Sequence, residues 1–599
     1  MNIADDGVSR GVAGNGAPSL ASRRELIEAA RGKRLADLVL RNGRVVNVFS
    51  NEIYPADVAV YGGRIAGIGA PGSYGGAMEV ELGGHFLAPG LIEAHTHIES
   101  ALVTPGEFAC AIAPHGSTTV VSDPHEIANV AGVPGLRWTL AGAEGVPLRL
   151  MFTLPSCVPA SEYESNGASL APEDLLPLAG DPRIASVGEV MNYPGVINGD
   201  AKMLEMIDLG RAGSATPRGM AVDGHAPGLR GLDLCGYVAA GVQSDHECVA
   251  ADEALDKVRL GMWLWVREGT MRNLEALLPV VLAHLPERAG FVADDRTCGD
   301  LIRQGDLDHI IRLAVAGGLD PVQAVKMASL HPAQYFGFAD RGAIAPGYLA
   351  DMVIVPDLRA FRPRQVYVGG ELVAEDGHAL FSPPAAPSTW HAHVSDTVRL
   401  TDFTADRLRL PGHTGTARVI GMIPDQIVTD DLTMDIQAED GAVVTDPERD
   451  VLKVAVVERY GRGRVGVGLL HGLGLRAGAV ASSVAHDAHN IVVAGANDDD
   501  MALAVRELAY MQGGLAVTCN GAVVERLALP IGGLMSPLPA AAVAEANDRL
   551  ERAAAELGVG LARPFVFLSF LALSVIPKLK LTDVGLLDVN AWKLVPVQS

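Results

Sequence analysis

From Ala36 the chain alternates apolar and polar positions in short β-branched runs: ADLVLRNGRVVNVFS, ADVAVYGGRIAGIG and MEVELGGHFLAPG. Asn-Gly and Gly-Gly pairs punctuate them, which predicts antiparallel strands joined by tight turns. Ahead of these runs, Arg23 to Arg34 reads as a short helix. Residues 1 to about 20, rich in Gly, Ala and Ser without periodicity, read as a flexible tail.

Between Phe86 and about Leu319 the pattern changes. Eight apolar runs, HFLAPGLIEAH, STTVVSDPH, LRLMFTLPS, RIASVGEV, GMAVDGH, GVQSDHE, GMWLWVREG and AGFVADD, alternate with helical stretches such as TPGEFACAIAPHG, AKMLEMIDLGRAG, ADEALDKVRLG and MRNLEALLPVVLAHL. Continuous apolar strands separated by amphipathic helices indicate a parallel sheet covered by helices. Eight such pairs in about 250 residues predict a (β/α)8 barrel. Short strands return in GAIAPGYLADMVIVPDLRAF and RQVYVGGELVAEDG, and a Pro-rich linker follows from Phe381 to Pro387. The expected organisation is an α/β protein. A tail and short helix (1–35) precede a TIM-like barrel (87–340) inserted in a small β-sandwich domain (36–86 with 341–380), and a separate C-terminal α/β domain (395–599) follows.

Composition narrows the function. The 599 residues carry 47 basic and 71 acidic side chains, a formal net charge of −24, which speaks against nucleic acid or an anionic membrane surface as partner. The N-terminus has no apolar signal core, and the longest apolar run, Phe565 to Ile576, is too short to span a bilayer. Six dispersed cysteines without a CxxC pair suit a reducing cytoplasm.

The chemistry lies where the strands end, because the βα loops of such a barrel converge there. Strand one ends in His95-Thr-His97, strand two in Asp123-Pro-His125-Glu126 and strand four in Glu189. Strand five ends in Asp223-Gly-His225, strand six in Ser244-Asp-His246-Glu247 and strand eight in Asp294-Asp295. Two residues apart on a strand, His95 and His97 point the same way and can share one ion. A ring of imidazoles and carboxylates without thiolate suits Zn, Mn or Fe. His95, His97, His225, His246 and Asp294 over-supply one open tetrahedral site, so two divalent ions are expected, with Glu189 able to bridge them. Two ions sharing a hydroxide bring its pKa towards neutrality, and Asp294 is then the natural proton shuttle.

These residues resemble the amidohydrolase superfamily. PGLIEAHTHIES, HGSTTVVSDPHEIANV, VGEVMNYPGV, DGHAPGL, SDHE, REGTMRNL, VAHDAHNIVVAGAN and LPIGGLMS are similar to its bacterial adenine deaminase branch, over nearly the whole chain from about residue 23. The resemblance implies conversion of adenine and water to hypoxanthine and ammonia, with Mn as the foremost metal and Fe or Zn as alternatives. It implies His95 and His97 on one ion, His225 and His246 on the other, Glu189 bridging, and Asp294 as ligand and proton acceptor. Asp294, Glu189 and His246 form the expected catalytic set. Glu247, Arg267 and Glu268 are candidates for the purine ring nitrogens. His125 is a further contact or ligand with Glu126 as its orienter, unless the two form a structural pair. After Asp295 the chain reads Arg-Thr-Cys-Gly-Asp where the family commonly has His or Tyr and then Pro, so an N6-substituted adenine such as N6-methyladenine is an alternative substrate. The same residues are compatible with a cyclic amide as substrate, or with a non-catalytic binding or assembly role. A homo-oligomer is expected.

Other signals weigh less. Gly461-Arg-Gly463-Arg-Val-Gly466 matches GxGxxG, but an apolar run follows it instead of a helix. HxE occurs without PCxxC, so a cytidine-deaminase zinc site is not supported. Asp498-Asp499-Asp500 reads as a helix N-terminus. His486-Asp487-Ala-His489-Asn490 is either a hydrogen-bonded loop or a contribution to a metal or active site from the C-terminal domain.

Overall fold

A computed structural model describes residues 19–212, 219–424 and 426–598. The eight apolar runs become eight parallel strands: β1 (Leu91–Thr96), β2 (Ser117–Ser122), β3 (Arg149–Leu154), β4 (Ile184–Val190), β5 (Ala221–Gly224), β6 (Ser244–Asp245), β7 (Trp263–Arg267) and β8 (Ala289–Val292). Strands β1 to β5 pair in order, as do β6 to β8. One seam is spanned by Gln243 N–H donating to the Val222 carbonyl at 3.0 Å, and the other by Asp294 N–H donating to the His95 carbonyl at 3.0 Å. The barrel therefore closes, and Asp294 itself forms part of the closure. Strands such as Ser117–Ser122 are buried along their whole length, as a parallel sheet covered by helices requires.

The helical stretches fall where the periodicity places them, for example Pro105–Ile112, Ala201–Ala212, Ala251–Arg259 and Leu274–His284. Ala251–Arg259 opens with Asp252 and Glu253 and closes with Lys257 and Arg259, matching the helix dipole. The first helix is Leu20–Ala30, a few residues earlier than the sequence suggests, because the Ser19 side chain caps it by accepting from Ser22 N–H at 3.1 Å. The expected tail lies, up to residue 18, outside the described residues.

Strands from both sides of the barrel insertion form a single nine-stranded sheet. Met352–Val355 pairs antiparallel with Phe86–Pro89, Met352 opposite Pro89, so the chain leaves the barrel beside the strand by which it entered. The sheet is continuous in its hydrogen bonding. Irregularities between Leu40 and Gly43 and between Ala59 and Val60 let it coil, and it encloses one cluster that includes Leu40, Val58, Ile65, Leu87, Met352 and Tyr367.

The C-terminal region builds a second nine-stranded, mostly antiparallel sheet within 415–528. Helix Asp498–Tyr510 packs on it, with Asn497 capping Asp500 N–H and the three aspartates in its first turn. Strand Val465–His471 follows the GxGxxG match, so no helix begins there. This region packs against the barrel. Ser536 N–H donates to the Leu102 carbonyl at 2.8 Å, and Arg462 donates to the Asn166 carbonyl at 2.9 Å. The apolar run from Phe565 folds into helix Pro564–Ser569 and a 3-10 turn, Phe570–Ala572. These bring Phe570 and Leu573 over the barrel mouth. Among the described residues no helix is long and apolar enough to cross a membrane.

Candidate metal centre

The ends of β1, β4, β5, β6 and β8 meet in one buried cluster. His95, His97, Glu189, His225, His246 and Asp294 are each at most 6% exposed. Glu189 sits at its middle with its oxygens divided. Its Oε1 lies 3.3 Å from His97 Nε2 and 3.7 Å from His95 Nε2. Its Oε2 lies 2.6 Å from His225 Nδ1 and 3.4 Å from His246 Nε2. Asp294 Oδ1 closes the first group, 3.2 Å from His97 Nε2 and 3.7 Å from His95 Nε2.

Local structure explains the aim of each group. Asp294 adopts a positive φ of 56°, a left-handed conformation that aspartate tolerates better than most residues. The carbonyl of Asp294 accepts from Thr96 Oγ1 at 2.9 Å, which fixes the turn. His97 Nδ1 contacts the Asp123 carbonyl at 3.0 Å, leaving Nε2 to face the cluster. Asp123 Oδ2 accepts the Glu189 N–H at 2.9 Å. A side chain at Gly188 would come within 2.3 Å of that carboxylate, so glycine is required for it to reach the strand.

The site draws positive charge. Burial favours neutral His225, but Glu247 and Glu189 outweigh burial and push its imidazole up to about 9. His246 goes the other way, to about 3, through burial and the neighbouring His95. Burial would raise the Asp294 carboxyl, yet the Arg267 guanidinium and His97 hold it well below the usual carboxylate range. The His95 and His225 Nε2 atoms are buried without a hydrogen-bond partner. Several sets of three, such as His95–His97–Glu189 and Glu189–His225–His246, place their ligand atoms within 4.8 Å of one another. Nitrogen and oxygen donors of this kind fit a divalent cation.

The structure distributes the other expected residues unevenly. Glu247 lines the cleft beside His246, its Oε1 3.5 Å from His246 Nε2. Arg267 also lines it, but as the ion-pair partner of both Glu247, at 2.5 Å, and Asp294. Glu268 is not brought to the cleft: it lies just past the end of β7, and its carboxylate lies 3.5 Å from Arg272 Nε instead. His125 lies between the groups, Nδ1 3.6 Å from Glu189 Oε1 and Nε2 3.4 Å from Glu126 Oε1. Glu126 accepts from two imidazoles of the C-terminal domain, His486 Nδ1 at 2.6 Å and His489 Nε2. The loop carrying His486 and Asp487 thus forms one wall of the cleft. A wider cleft at the opposite rim, lined by Met220, Gln243, Met262 and Arg288 among others, contains none of these groups.

The roof of the site is tied by Lys580, which the sequence does not single out. Its buried ammonium donates to the Ile427 carbonyl at 2.7 Å and the Phe570 carbonyl at 3.0 Å, both from residues lining the cleft. Burial lowers its pKa to about 7. The unfolded chain then binds more protons between about pH 7 and the ordinary lysine value of about 10.4, so stability rises with pH over that window. Urea titrations at pH 7 and pH 9.5 are expected to show this rise in the parent protein and to lose it in Lys580→Met. An unchanged rise in the variant assigns it to another group.

Two family models match the chain, "Amidohydrolase family" over residues 86–373 and "Adenine deaminase C-terminal domain" over residues 426–593. The adenine deaminase of Desulfatibacillum aliphaticivorans is 47% identical over 576 residues, 95% of this chain and 99% of that protein. Adenine deaminase 2 of Carboxydothermus hydrogenoformans is 46% identical over 577 residues, 96% of this chain and 99% of that protein. Among solved structures, dihydropyrimidinase from Brevibacillus agri aligns at TM-score 0.44 and 16% identity, over 58% of this chain and 96% of that one.

Proposed function

We propose that this chain, which belongs to the adenine deaminase family, hydrolyses adenine to hypoxanthine and ammonia at the mouth of its barrel. The observation that carries the reading is the division of Glu189, one oxygen facing His95 and His97 and the other facing His225 and His246. His95, His97 and Asp294 would hold one divalent ion and His225 and His246 a second, with Glu189 between them; manganese is the proposed metal, with iron or zinc next in order. Such ions supply Lewis acidity and bring deprotonation of water to near-neutral pH.

The protein's own groups supply the rest. Met191, Ile427, Phe570 and Leu573 wall the cleft and would exclude water from a planar base. Two carboxylates have opposite environments, which divides the proton work. Asp294, held low by Arg267 against the effect of burial, stays ionised and accepts a hydrogen bond or proton from the attacking water. Burial pushes the Glu247 carboxyl above its ordinary value despite Arg267, so Glu247 holds a proton more readily. As water adds to C6, one of its protons goes to ring N1. The other, taken up by Asp294 and relayed through Glu247, goes to the amino nitrogen, which leaves as ammonia while the C6 oxygen becomes the carbonyl. Arg267, paired with both, fixes their positions.

A cytoplasmic location and a homo-oligomer complete the proposal. All six cysteines are free, which suits a reducing compartment. Leu232 and Val249, 88% and 69% exposed, are large apolar side chains that a second copy could cover.

Chromatography of substrate and product, with released ammonia or methylamine measured alongside, tests the reading on manganese-loaded protein, with adenine compared against adenosine, cytosine, N6-methyladenine and dihydroorotate. Turnover of adenine above the others is expected, with loss on chelation and return on adding metal. Turnover of N6-methyladenine alone would move the substrate while keeping the site. No turnover of any compound, with the metal content verified, would sink the deaminase reading.

A further inference from the structure

We infer that Asp487, carried by the C-terminal domain, accepts the ring N–H on the imidazole edge of the purine and thereby selects the free base over N9-substituted purines. The inference rests on the proposed adenine chemistry and deepens it.

Asp487 is 2% exposed and lines the cleft, yet its Oδ2 has no protein donor within reach. Its other oxygen, Oδ1, lies 3.9 Å from His125 Nε2, a distance too long for a hydrogen bond. A buried carboxylate oxygen left without a donor is costly, so the position is retained for something that enters the cleft and donates.

The neighbours that could compete for this role are already engaged. Glu126 has both oxygens taken, by His486 Nδ1 and His489 Nε2. His489 cannot turn its other nitrogen to the cleft, because Nδ1 accepts the Ala485 N–H at 3.1 Å. The His486 ring is stacked on Phe570 at 4.5 Å between centroids and 16° between planes. That stack fixes the loop from which Asp487 projects and continues the apolar wall of the cleft. The chain therefore offers a cleft with Met191, Ile427, Phe570 and Leu573 among its walls, where His125 stands between Glu189 on the barrel side and the unsatisfied carboxylate on the C-terminal wall.

Adenine matches this polarity. Its reacting C6 and amino group belong at the Glu189 end. As a free base it also carries one N–H on its imidazole ring, on the side of the molecule away from C6. A nucleoside or a 9-alkyl purine has no such N–H and would leave Asp487 buried, charged and unpaired. A site built around a donor on its ligand rejects the analogue without it far more strongly than lost contact area would.

The experiment compares kcat/KM for adenine and 9-methyladenine in manganese-loaded parent protein, Asp487→Asn and Asp487→Ala. Metal content is measured on each protein, and binding of hypoxanthine and 9-methylhypoxanthine is measured by calorimetry as a readout independent of turnover. The parent is expected to prefer adenine by ~10²-fold or more. In Asp487→Ala that ratio should fall below about 10-fold, through a raised KM for adenine, with metal content unchanged and hypoxanthine binding weakened. A parent ratio near one overturns the inference without any variant. So does a ratio that Asp487→Ala and Asp487→Asn leave intact, or a loss of bound metal in them, which would make Asp487 a ligand instead. Metal-loaded parent protein that releases no ammonia from adenine would remove the function on which the inference rests.

Discussion

Glu189→Gln is expected to lower adenine deamination by ~10³-fold or more, about 4 kcal/mol of transition-state stabilisation, while the barrel stays folded. The amide has the same shape, and the contacts that hold the residue are backbone contacts it keeps: Asp123 Oδ2 on the Glu189 N–H at 2.9 Å, and Ser156 Oγ on its carbonyl at 2.6 Å. What changes is the electrostatics. The carboxylate offers an anionic oxygen to each pair of imidazoles, whereas an amide offers one neutral oxygen and turns an NH2 towards the other pair. Metal analysis should accordingly fall below that of the parent, and the circular dichroism spectrum should not change. Glu189→Asp, which keeps the charge and withdraws it by one methylene, separates charge from reach. It should retain more metal than the glutamine variant but remain slow. Full activity with full metal in Glu189→Gln would mean that no ion depends on this carboxylate.

The barrel and its polar rim are legible in the sequence for one reason. Strand ends of a parallel barrel converge, so an imidazole or carboxylate at the end of each apolar run is already placed in space by the repeat. His95, His97, Glu189, His225, His246 and Asp294 meet as that logic requires. For Glu268 no strand alternation applies: it lies just past the end of β7 and its carboxylate turns to Arg272, whereas His246 and Glu247, equally adjacent and past a strand end, both line the cleft. The sheet around the insertion is continuous because local irregularities near Leu40 and Ala59 bend it, and alternation of apolar residues does not reveal where a strand bulges.

Contacts between distant segments are the part no local pattern marks. Glu126 and His489 are separated by 363 positions and meet across the domain interface. Neither flanking sequence has a periodicity that points to the other. From sequence the loop around His486 is therefore open to two readings, and the geometry joins them: it is hydrogen-bonded through Glu126, and it also lines the cleft. Lys580 is invisible for the opposite reason. A lysine in an apolar setting looks like a surface residue until the carbonyls of Ile427 and Phe570 are found around it.

Lys257→Met should bring the largest loss of stability of any single change near the site. Burying its ammonium is expensive, but the charge is met on three sides: by the Ala226 carbonyl at 2.7 Å, Asp245 Oδ2 at 3.0 Å and Glu253 Oε1 at 2.8 Å. The two carboxylates in turn receive backbone N–H groups from the loop after β5, Ala226 to Asp245 at 2.7 Å and Gly228 to Glu253 at 2.8 Å. One ammonium thus ties together the loops that carry His225, His246 and Glu247. Removing one partner of such a buried group leaves carboxylates without a counter-charge, at a cost of about 3–5 kcal/mol. Urea unfolding followed by tryptophan fluorescence reads the change in the barrel, since Trp263 and Trp265 lie on β7. The pH dependence identifies the cause. Burial alone would raise the Asp245 carboxyl, but Lys257 and His246 hold it at about 2, below the ordinary aspartate value of about 3.9. Its contribution in the parent is therefore fully present above that ordinary value and lost as the pH falls towards 2. Without Lys257 the buried carboxyl rises and welcomes a proton, so the deficit of the variant should narrow on acidification. Adding Asp245→Asn to Lys257→Met should recover part of the loss at neutral pH, because the double variant no longer buries that unmatched charge. A deficit that ignores pH and is not relieved by the second substitution would assign the role of Lys257 to packing of its methylene stem.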